Sequence, residues 1–366
     1  MSAPPAPPGD ETPHVPEALK RPAIPKAIVV VALTLVVLLL GAVATLRYGV
    51  LLPQARILIE ARTDGLRIGR VGRLRIEGLS GDIWRDARVR RLTIRDEKGV
   101  WLEAINVHLS WRYVELLRRR FDADLIEADS VRIVRRPTLA PKGKDRGLPV
   151  SFHIDEARTR LTLEPAFSYA RGVYDVRLGL DIERLGGRSG KLNAKSVLHP
   201  GDHLDLDFAV GGKGPLRLIA DAEEARGGAL AGALGLSPDQ PFKLDVRADG
   251  TASQGRFTAT ATSGTTAPLV ARGAWNPRGG EAGGRVLLTA STLTAGLAQR
   301  FGSEVRFGIA GRRSAPGVYA LDARLRSDAL TLRAWGPGDL GKRRLDRVQF
   351  DAQTASLSRI TTPRRT

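Results

Sequence analysis

The chain has 366 residues, with 57 Lys and Arg against 39 Asp and Glu, which gives a formal net charge of +18 at pH 7. It contains no cysteine, which excludes disulfide scaffolds, iron–sulfur clusters, thiolate zinc sites and cysteine nucleophiles. A hydrophobic content of 42% is ordinary for a folded chain. The positive charge is compatible with nucleic acid, anionic lipid or an acidic partner, and does not choose among them.

The N-terminal residues predict a tail followed by a membrane span. Residues 1–26 are rich in proline and offer few apolar groups to bury, so we expect a disordered cytoplasmic tail. The next run, Ala27 to Leu46, carries no charge and is long enough to cross a hydrocarbon core of about 30 Å. The basic residues before it, Lys20, Arg21 and Lys26, favour a cytoplasmic N-terminus.

A cleaved signal peptide is the alternative for this run, because Ala42-Val43-Ala44 has the small-residue pattern of a cleavage site. The long tail and the length of the apolar run favour an uncleaved signal anchor. In both cases the rest of the chain leaves the cytosol. The expected location is a bacterial inner membrane, crossed once, with the body in the periplasm.

From Arg56 onward, apolar residues recur with a period of two. Leu74 and Ile76 alternate with charged residues, and Leu92 and Ile94 do so with Arg and Thr. Because alternation places one apolar face on each strand, it predicts a mainly β body built as an elongated antiparallel sheet. Short helical inserts are expected between strands within 111–119, 221–236 and 293–301.

One break in the alternation divides the body. Residues 138–150 are rich in proline, glycine and charge, and predict a linker or long loop between two β segments, 47–137 and 151–366. The last residues, 359–366, are polar and supply no capping strand. A repeat body needs capped ends, so this C-terminus is expected to be the truncated end of a longer β repeat.

The alternating positions are the candidate site. Their apolar faces pack on a second sheet in a sandwich, or line an open trough. An aromatic content of only 5% favours the trough, because a solid core needs bulky side chains. The candidate lining residues are Leu74, Ile76, Leu92, Ile94, Ile105, Val107 and Leu109, and the last three are expected to share one face of a strand.

A basic cluster offers a second candidate contact. Arg118, Arg119 and Arg120 are expected on a short helix, where they would attract anionic lipid headgroups. The alternative is an ordinary solvated surface. Basic residues elsewhere interleave with apolar strand positions and are expected on the solvated face.

Other constellations predict no chemistry. His199 and His203, with Asp205 and Asp207, could ligate a metal, but the proline and glycine between the histidines predict a turn. The glycines from Gly211 to Gly214 lack P-loop spacing and predict a hairpin turn. No nucleophile elbow or nucleic-acid-binding motif is present. The sequence therefore predicts a protein that is not an enzyme and takes no metal, cofactor or nucleic acid.

One stretch, Ile76 to Pro137, resembles the start of the periplasmic body of the TamB family, within the AsmA-like proteins. The pieces that carry the resemblance are the turn at Gly78–Gly81, Leu92-Thr-Ile-Arg-Asp, Gly99-Val-Trp-Leu, the alternation from Ile105 to Trp111, Leu116-Leu117-Arg118, and the strand Ser130–Val134. Gly227–Leu236 followed by Phe242–Gly250 is similar to the family's middle repeats.

The resemblance implies an inner-membrane anchor and a curved β-groove that bridges the two membranes of a Gram-negative envelope. It implies phospholipids as cargo. Protein secretion or outer-membrane protein assembly is the alternative role. A further rival, independent of the resemblance, is a soluble lectin-like or adhesin β domain behind a signal peptide. Family members run longer and carry a C-terminal domain that meets the outer-membrane barrel TamA. No part of this chain matches that domain.

Overall fold

The structure is a computed structural model that describes residues 61, 64–68, 70–141, 150–184, 186–211, 214–339, 344–345 and 347–354. These residues belong to one compact unit, Leu51–Thr366. Strands account for 65% and helices for 9% of the structure, which confirms the prediction of a mainly β chain. The predicted tail 1–26 and the predicted span Ala27–Leu46 lie outside the described residues. Among the residues that are described, no helix has the length and apolar character needed to cross a membrane.

Within the described part of the chain, nineteen strands form one long, curved, open sheet. The strands are β1 Leu66–Ile68, β2 Gly72–Asp82, β3 Asp86–Asp96, β4 Gly99–Trp111, β5 Arg120–Ile133, β6 Ser151–Leu163, β7 Gly172–Ile182, β8 Arg188–Ser196, β9 His203–Val210, β10 Leu216–Glu224, β11 Phe242–Gly250, β12 Gly255–Ser263, β13 Thr266–Asn276, β14 Gly279–Leu287, β15 Glu304–Ala315, β16 Val318–Ser327, β17 Leu330–Asp339, β18 Arg344–Leu345 and β19 Gln349–Thr354.

The sheet follows chain order. Each strand from β2 to β16 pairs with the strand before it and the strand after it, and β17 takes both β18 and β19 on its far side. All pairs are antiparallel except β5 with β6, which is parallel. A parallel pair needs a crossover connection. The predicted linker 138–150 falls between these two strands in the sequence, and its residues 142–149 lie outside the described residues.

Short helices interrupt the meander at strand ends. The described helices between strands are the 3₁₀ helix Tyr113–Arg118, α1 Pro165–Ser168, α2 Ala229–Ala233, the 3₁₀ helix Leu288–Ala290 and α3 Ala295–Phe301. The first 3₁₀ helix, α2 and α3 fall within the three ranges expected from the sequence.

The pairing register aligns apolar residues from strand to strand. Leu74 lies opposite Ile94, and Ile94 lies opposite Leu102. Farther along the sheet, Leu178 lies opposite Leu192, which in turn lies opposite Leu206. Because directly opposed residues point to the same face, the register assembles one continuous apolar surface from alternation within single strands.

A left-handed residue reverses the alternation within β4. Ala104 lies on the apolar face, opposite Leu92, so Ile105 lies on the other face, opposite Arg91. Asn106 then adopts a φ of 51°, a conformation that Asn tolerates better than most residues. After it, Val107 is again on the apolar face.

Candidate functional site

The candidate site is the apolar face of the sheet. Its members are traced by following opposed residues from β1 to β19, since each pair shares a face. The principal large members are Leu66, Leu74, Ile76, Leu92, Ile94, Leu102, Val107, Leu109, Ile126, Val131, Ile133, Leu161, Tyr174, Val176, Leu178, Leu180, Leu192, Leu204, Leu206, Phe208, Leu218, Leu244, Val246, Phe257, Leu269, Val286, Val305, Phe307, Ile309, Leu321, Leu325, Leu332 and Phe350.

Most of this face keeps contact with solvent. Large side chains at its middle, such as Leu192, Leu206 and Phe257, are only partly buried. Ile309 is 50% exposed and Phe350 is 74% exposed. In a closed sandwich such residues would be the most deeply buried of the chain. A continuous apolar surface left partly open to water is the usual mark of a binding surface.

One rim of the face is covered. We name this cover the rim cap, and it consists of Pro165–Ser168, Ala229–Leu236 and Leu288–Thr292. Ala231 and Leu236 pack against Phe242 in one buried cluster, and Ala229 packs against Leu163 and Tyr174 in another. Leu163 ends β6, Phe242 begins β11 and Tyr174 is the third residue of β7. The rim cap therefore closes one edge of the apolar face and leaves its middle uncovered.

A buried carboxylate fixes the rim cap to the sheet. Glu224, at the end of β10, is only 1% exposed. It accepts hydrogen bonds from the hydroxyl of Tyr174 at 2.6 Å and from the amides of Leu230 and Ala231, each at 2.9 Å. The two amides begin α2 and have no partner inside so short a helix. Burial raises the pKa of the Tyr174 phenol, and the carboxylate beside it raises this pKa further.

An arginine from the crossover secures the other end of α2. The Arg136 guanidinium donates to the carbonyls of Gly232 and Ala233 at 2.8 and 3.0 Å. The same group lies over the ring of Phe167, 5.3 Å from its centroid. Gly232 is required here, because a Cβ at this position would lie 1.6 Å from the Ser168 carbonyl oxygen. The crossover, α1 and α2 therefore form one connected unit over the rim.

Six of the seven predicted lining residues share the apolar face. Leu74, Ile76, Leu92 and Ile94 are mutually opposed, and Val107 and Leu109 join the same face through Ala128 and Ile126 of β5. The exception is Ile105. The prediction that it shares a face with Val107 was wrong, because the left-handed Asn106 stands between them.

The three predicted headgroup arginines occupy different elements. Arg118 ends the 3₁₀ helix and pairs with Glu115 at 2.8 Å. Arg119 is an exposed left-handed residue just after that helix. Arg120 begins β5 and pairs with Asp122 at 3.3 Å and with Asp181 at 3.8 Å. The expectation that all three lie on one helix was therefore wrong.

The opposite face of the sheet is polar and charge-paired. Opposed residues of opposite sign form ion pairs along this face, for example Glu127 with Arg158, Asp175 with Arg160, and Glu223 with Lys243. Such exposed cross-strand pairs contribute roughly 0.2–1 kcal/mol each. They keep this face solvated and help to fix the register that assembles the apolar face.

Of the histidine and aspartate residues noted in the sequence, His203, Asp205 and Asp207 lie on this polar face, and His199 lies in the turn before β9. His203 bonds to the Gly201 carbonyl at 2.8 Å and to Asp221 at 2.9 Å, and both contacts raise its pKa. Asp205 accepts from Asn193, and Asp207 pairs with Arg217 at 3.2 Å. Among the described residues, no group of three or more His, Asp and Glu side chains is arranged to hold a metal ion.

Comparison of the chain with protein-family models, with curated proteins and with solved structures finds no match.

Proposed function

We propose that the protein is an inner-membrane-anchored carrier that holds the acyl chains of phospholipids against its apolar face and moves them between the two membranes of a Gram-negative envelope. The observation that carries this proposal is the continuous, partly exposed apolar face that crosses the whole sheet. The resemblance of residues 76–137 to the TamB family adds the location and the cargo.

The energetics of an apolar face suit such cargo. Each methylene removed from water contributes about 0.8 kcal/mol, so a lipid acyl chain gains several kcal/mol by lying on the face. Neighbouring strands present similar aliphatic side chains at a spacing of about 4.8 Å, so a chain can shift from strand to strand with little change in free energy. The headgroup remains in water throughout.

The test is photo-crosslinking in cells. A photo-reactive residue in place of Val107 should crosslink to phospholipid, because position 107 lies on the apolar face. The matched control places the same residue at position 105, on the other face of the same strand. Equal lipid crosslinking from both positions, or none from 107, would reject the proposal.

A second function, in assembly of outer-membrane proteins, is favoured by one observation. The strand β19 pairs only with β17 among the described residues, and all of its residues except Thr354 are exposed. An exposed edge strand can add a strand from another chain. Purification in mild detergent separates the two functions: co-purified phospholipid supports the carrier, and a co-purified unfolded barrel protein supports assembly.

A further inference from the structure

Three arginines at the first end of the sheet stand in line on the polar face. Arg67 of β1 lies opposite Arg73 of β2, which lies opposite Arg95 of β3. Like charges placed directly opposite one another destabilise a sheet. Arg95 pairs with Asp64 at 3.2 Å, whereas Arg67 and Arg73 pair with no carboxylate among the described residues.

These arginines line a cavity of about 540 Å³. Arg70 lines it as well, and its Nε donates a hydrogen bond of 2.7 Å to the carbonyl oxygen of Ala140. That bond places the segment from Thr138 to Pro141 as one wall of the cavity. The cavity is therefore bounded by four guanidinium groups and by a segment of the crossover.

The acidic residues beside the cavity leave its positive charge in excess. Asp96 receives two hydrogen bonds from Arg135, at 2.5 and 2.9 Å, and two more from the amides of Lys98 and Thr138. Its charge is thus already neutralised by a residue outside the arginine line. Glu97, which is exposed, is the other carboxylate in the lining.

A second line of opposed arginines provides a comparison, because carboxylates pair with most of the arginines there. Arg285, Arg306 and Arg326 are also in register, but Glu304 pairs with the first two of them. The adjoining cavity of about 1160 Å³ has five arginines in its lining. Four of the five, Arg256, Arg285, Arg306 and Arg324, pair with carboxylates in the same way.

We propose that Arg67, Arg73 and Arg95 form a binding site for a phosphate group. Guanidinium groups donate paired hydrogen bonds that match phosphate oxygens, and a bound dianion or diester would relieve the repulsion within the line. The phosphate could belong to a phospholipid headgroup or to free inorganic phosphate. The inference goes beyond the proposed function, because it requires nothing of the apolar face.

The test titrates the full chain in a non-ionic detergent with three probes: inorganic phosphate, a soluble short-chain phosphatidylglycerol, and the corresponding phosphatidylcholine. Arg73→Gln, in the middle of the line, should weaken phosphate binding at least tenfold. Arg306→Gln, in the middle of the second line, should leave it unchanged. Phosphate should also raise the melting temperature of the parent chain, because a ligand bound only to the folded state stabilises it.

The probes separate the two sources of phosphate. Tighter binding of phosphatidylglycerol than of phosphate and phosphatidylcholine assigns the site to an anionic headgroup, and tighter binding of phosphate assigns it to the free ion. Arg73→Gln should fold, since it removes a like-charge contact, and Arg67→Gln on the edge strand provides a second variant. Absence of saturable phosphate binding to the parent chain, or equal losses in the Arg73 and Arg306 variants, overturns the proposal. Inorganic phosphate does not occupy the apolar face, so failure of the lipid-carrier proposal would leave this result unaffected.

Discussion

The hydroxyl of Tyr174 donates a 2.6 Å hydrogen bond to Glu224, although fifty positions separate the two residues in the chain. Tyr174 is 2% exposed and Glu224 is 1% exposed. A carboxylate buried this deeply is tolerated only where donors surround it. The pair therefore connects β7, β10 and the start of α2, and holds the rim cap against the edge of the apolar face.

Removal of the donor should destabilise the chain. In Tyr174→Phe the carboxylate keeps its two amide donors and loses the third, which should lower the free energy of unfolding by about 1–3 kcal/mol. The measurement is chemical denaturation. Tyr319→Phe is the control, since the Tyr319 hydroxyl has no hydrogen-bond partner among the described residues, and it should change the stability little. Equal stability of the Tyr174 variant and the parent would contradict the role given to this pair.

The second prediction concerns the close packing of α1 on α2. Gly232→Ala would place a methyl group against the Ser168 carbonyl, so α1 and α2 must separate at a cost of about 1–3 kcal/mol. Hydrogen exchange of the amides in the rim cap should accelerate. Gly296→Ala in α3 is the matched control, because a Cβ there meets nothing within 4 Å.

The control variant, Gly296→Ala, should be slightly more stable than the parent chain. Alanine in a helix interior is more stable than glycine by roughly 0.5–1 kcal/mol, so Gly296→Ala should raise the melting temperature slightly. A Gly232 variant with unchanged exchange in α1 and α2 would show that the rim cap is looser than the structure describes.

The strands were predictable because burial of one face leaves a period of two in the sequence. Which residues share the apolar face depends on pairing between strands as well, and Asn106 marks a position where alternation alone assigns the wrong face. Alternation continued through Asn106 puts Ile105 and Val107 on one face, whereas a left-handed φ at Asn106 separates them. The signal was present, because apolar residues change parity from Leu102 and Ala104 to Val107 and Leu109.

Other features could not be derived from local patterns. The bonds from Arg136 to the α2 carbonyls join residues about a hundred positions apart, and nothing near Arg136 in sequence marks it as a helix partner. The parallel pairing of β5 with β6 is likewise a consequence of the path of the crossover. Charge composition predicted a basic surface, but the opposition of Arg67 to Arg73 depends on the register of a three-residue strand.

Acid should weaken the ion pair between Asp96, at the end of β3, and Arg135 of the crossover. Hydrogen bonds from Arg135 hold the pKa of Asp96 well below its ordinary value, and the Thr138 and Lys98 amides act in the same direction. A carboxyl whose pKa is lowered by folding stabilises the folded state above its unfolded pKa of 3.8, and this contribution is lost as the pH falls through the folded pKa. Melting temperature should therefore decline below about pH 4.

A variant isolates this contribution. In Arg135→Gln the pKa of Asp96 should rise, so the decline of melting temperature should begin at a higher pH. Asp96→Asn should remove the dependence and lower stability at neutral pH. Carboxyl titration of Asp96 by NMR gives the direct measurement, and an Asp96 pKa unchanged by Arg135→Gln would contradict the assignment.

The two faces of β4 provide the last prediction. Val107→Asp places a carboxylate on the apolar face, where passage of an acyl chain would have to desolvate it. Lipid bound per chain should therefore fall several-fold. Since Val107 is only partly buried and the carboxylate can reach water, stability should fall by less than about 2 kcal/mol. A sandwich core would lose several kcal/mol.

Ile105→Asp is the matched control on the polar face, opposite Arg91, and should retain both lipid and stability. Lipid mass spectrometry and denaturation of the two variants decide the matter: a Val107 variant that unfolds, together with a parent chain that carries no lipid, would favour a closed core over an open apolar face.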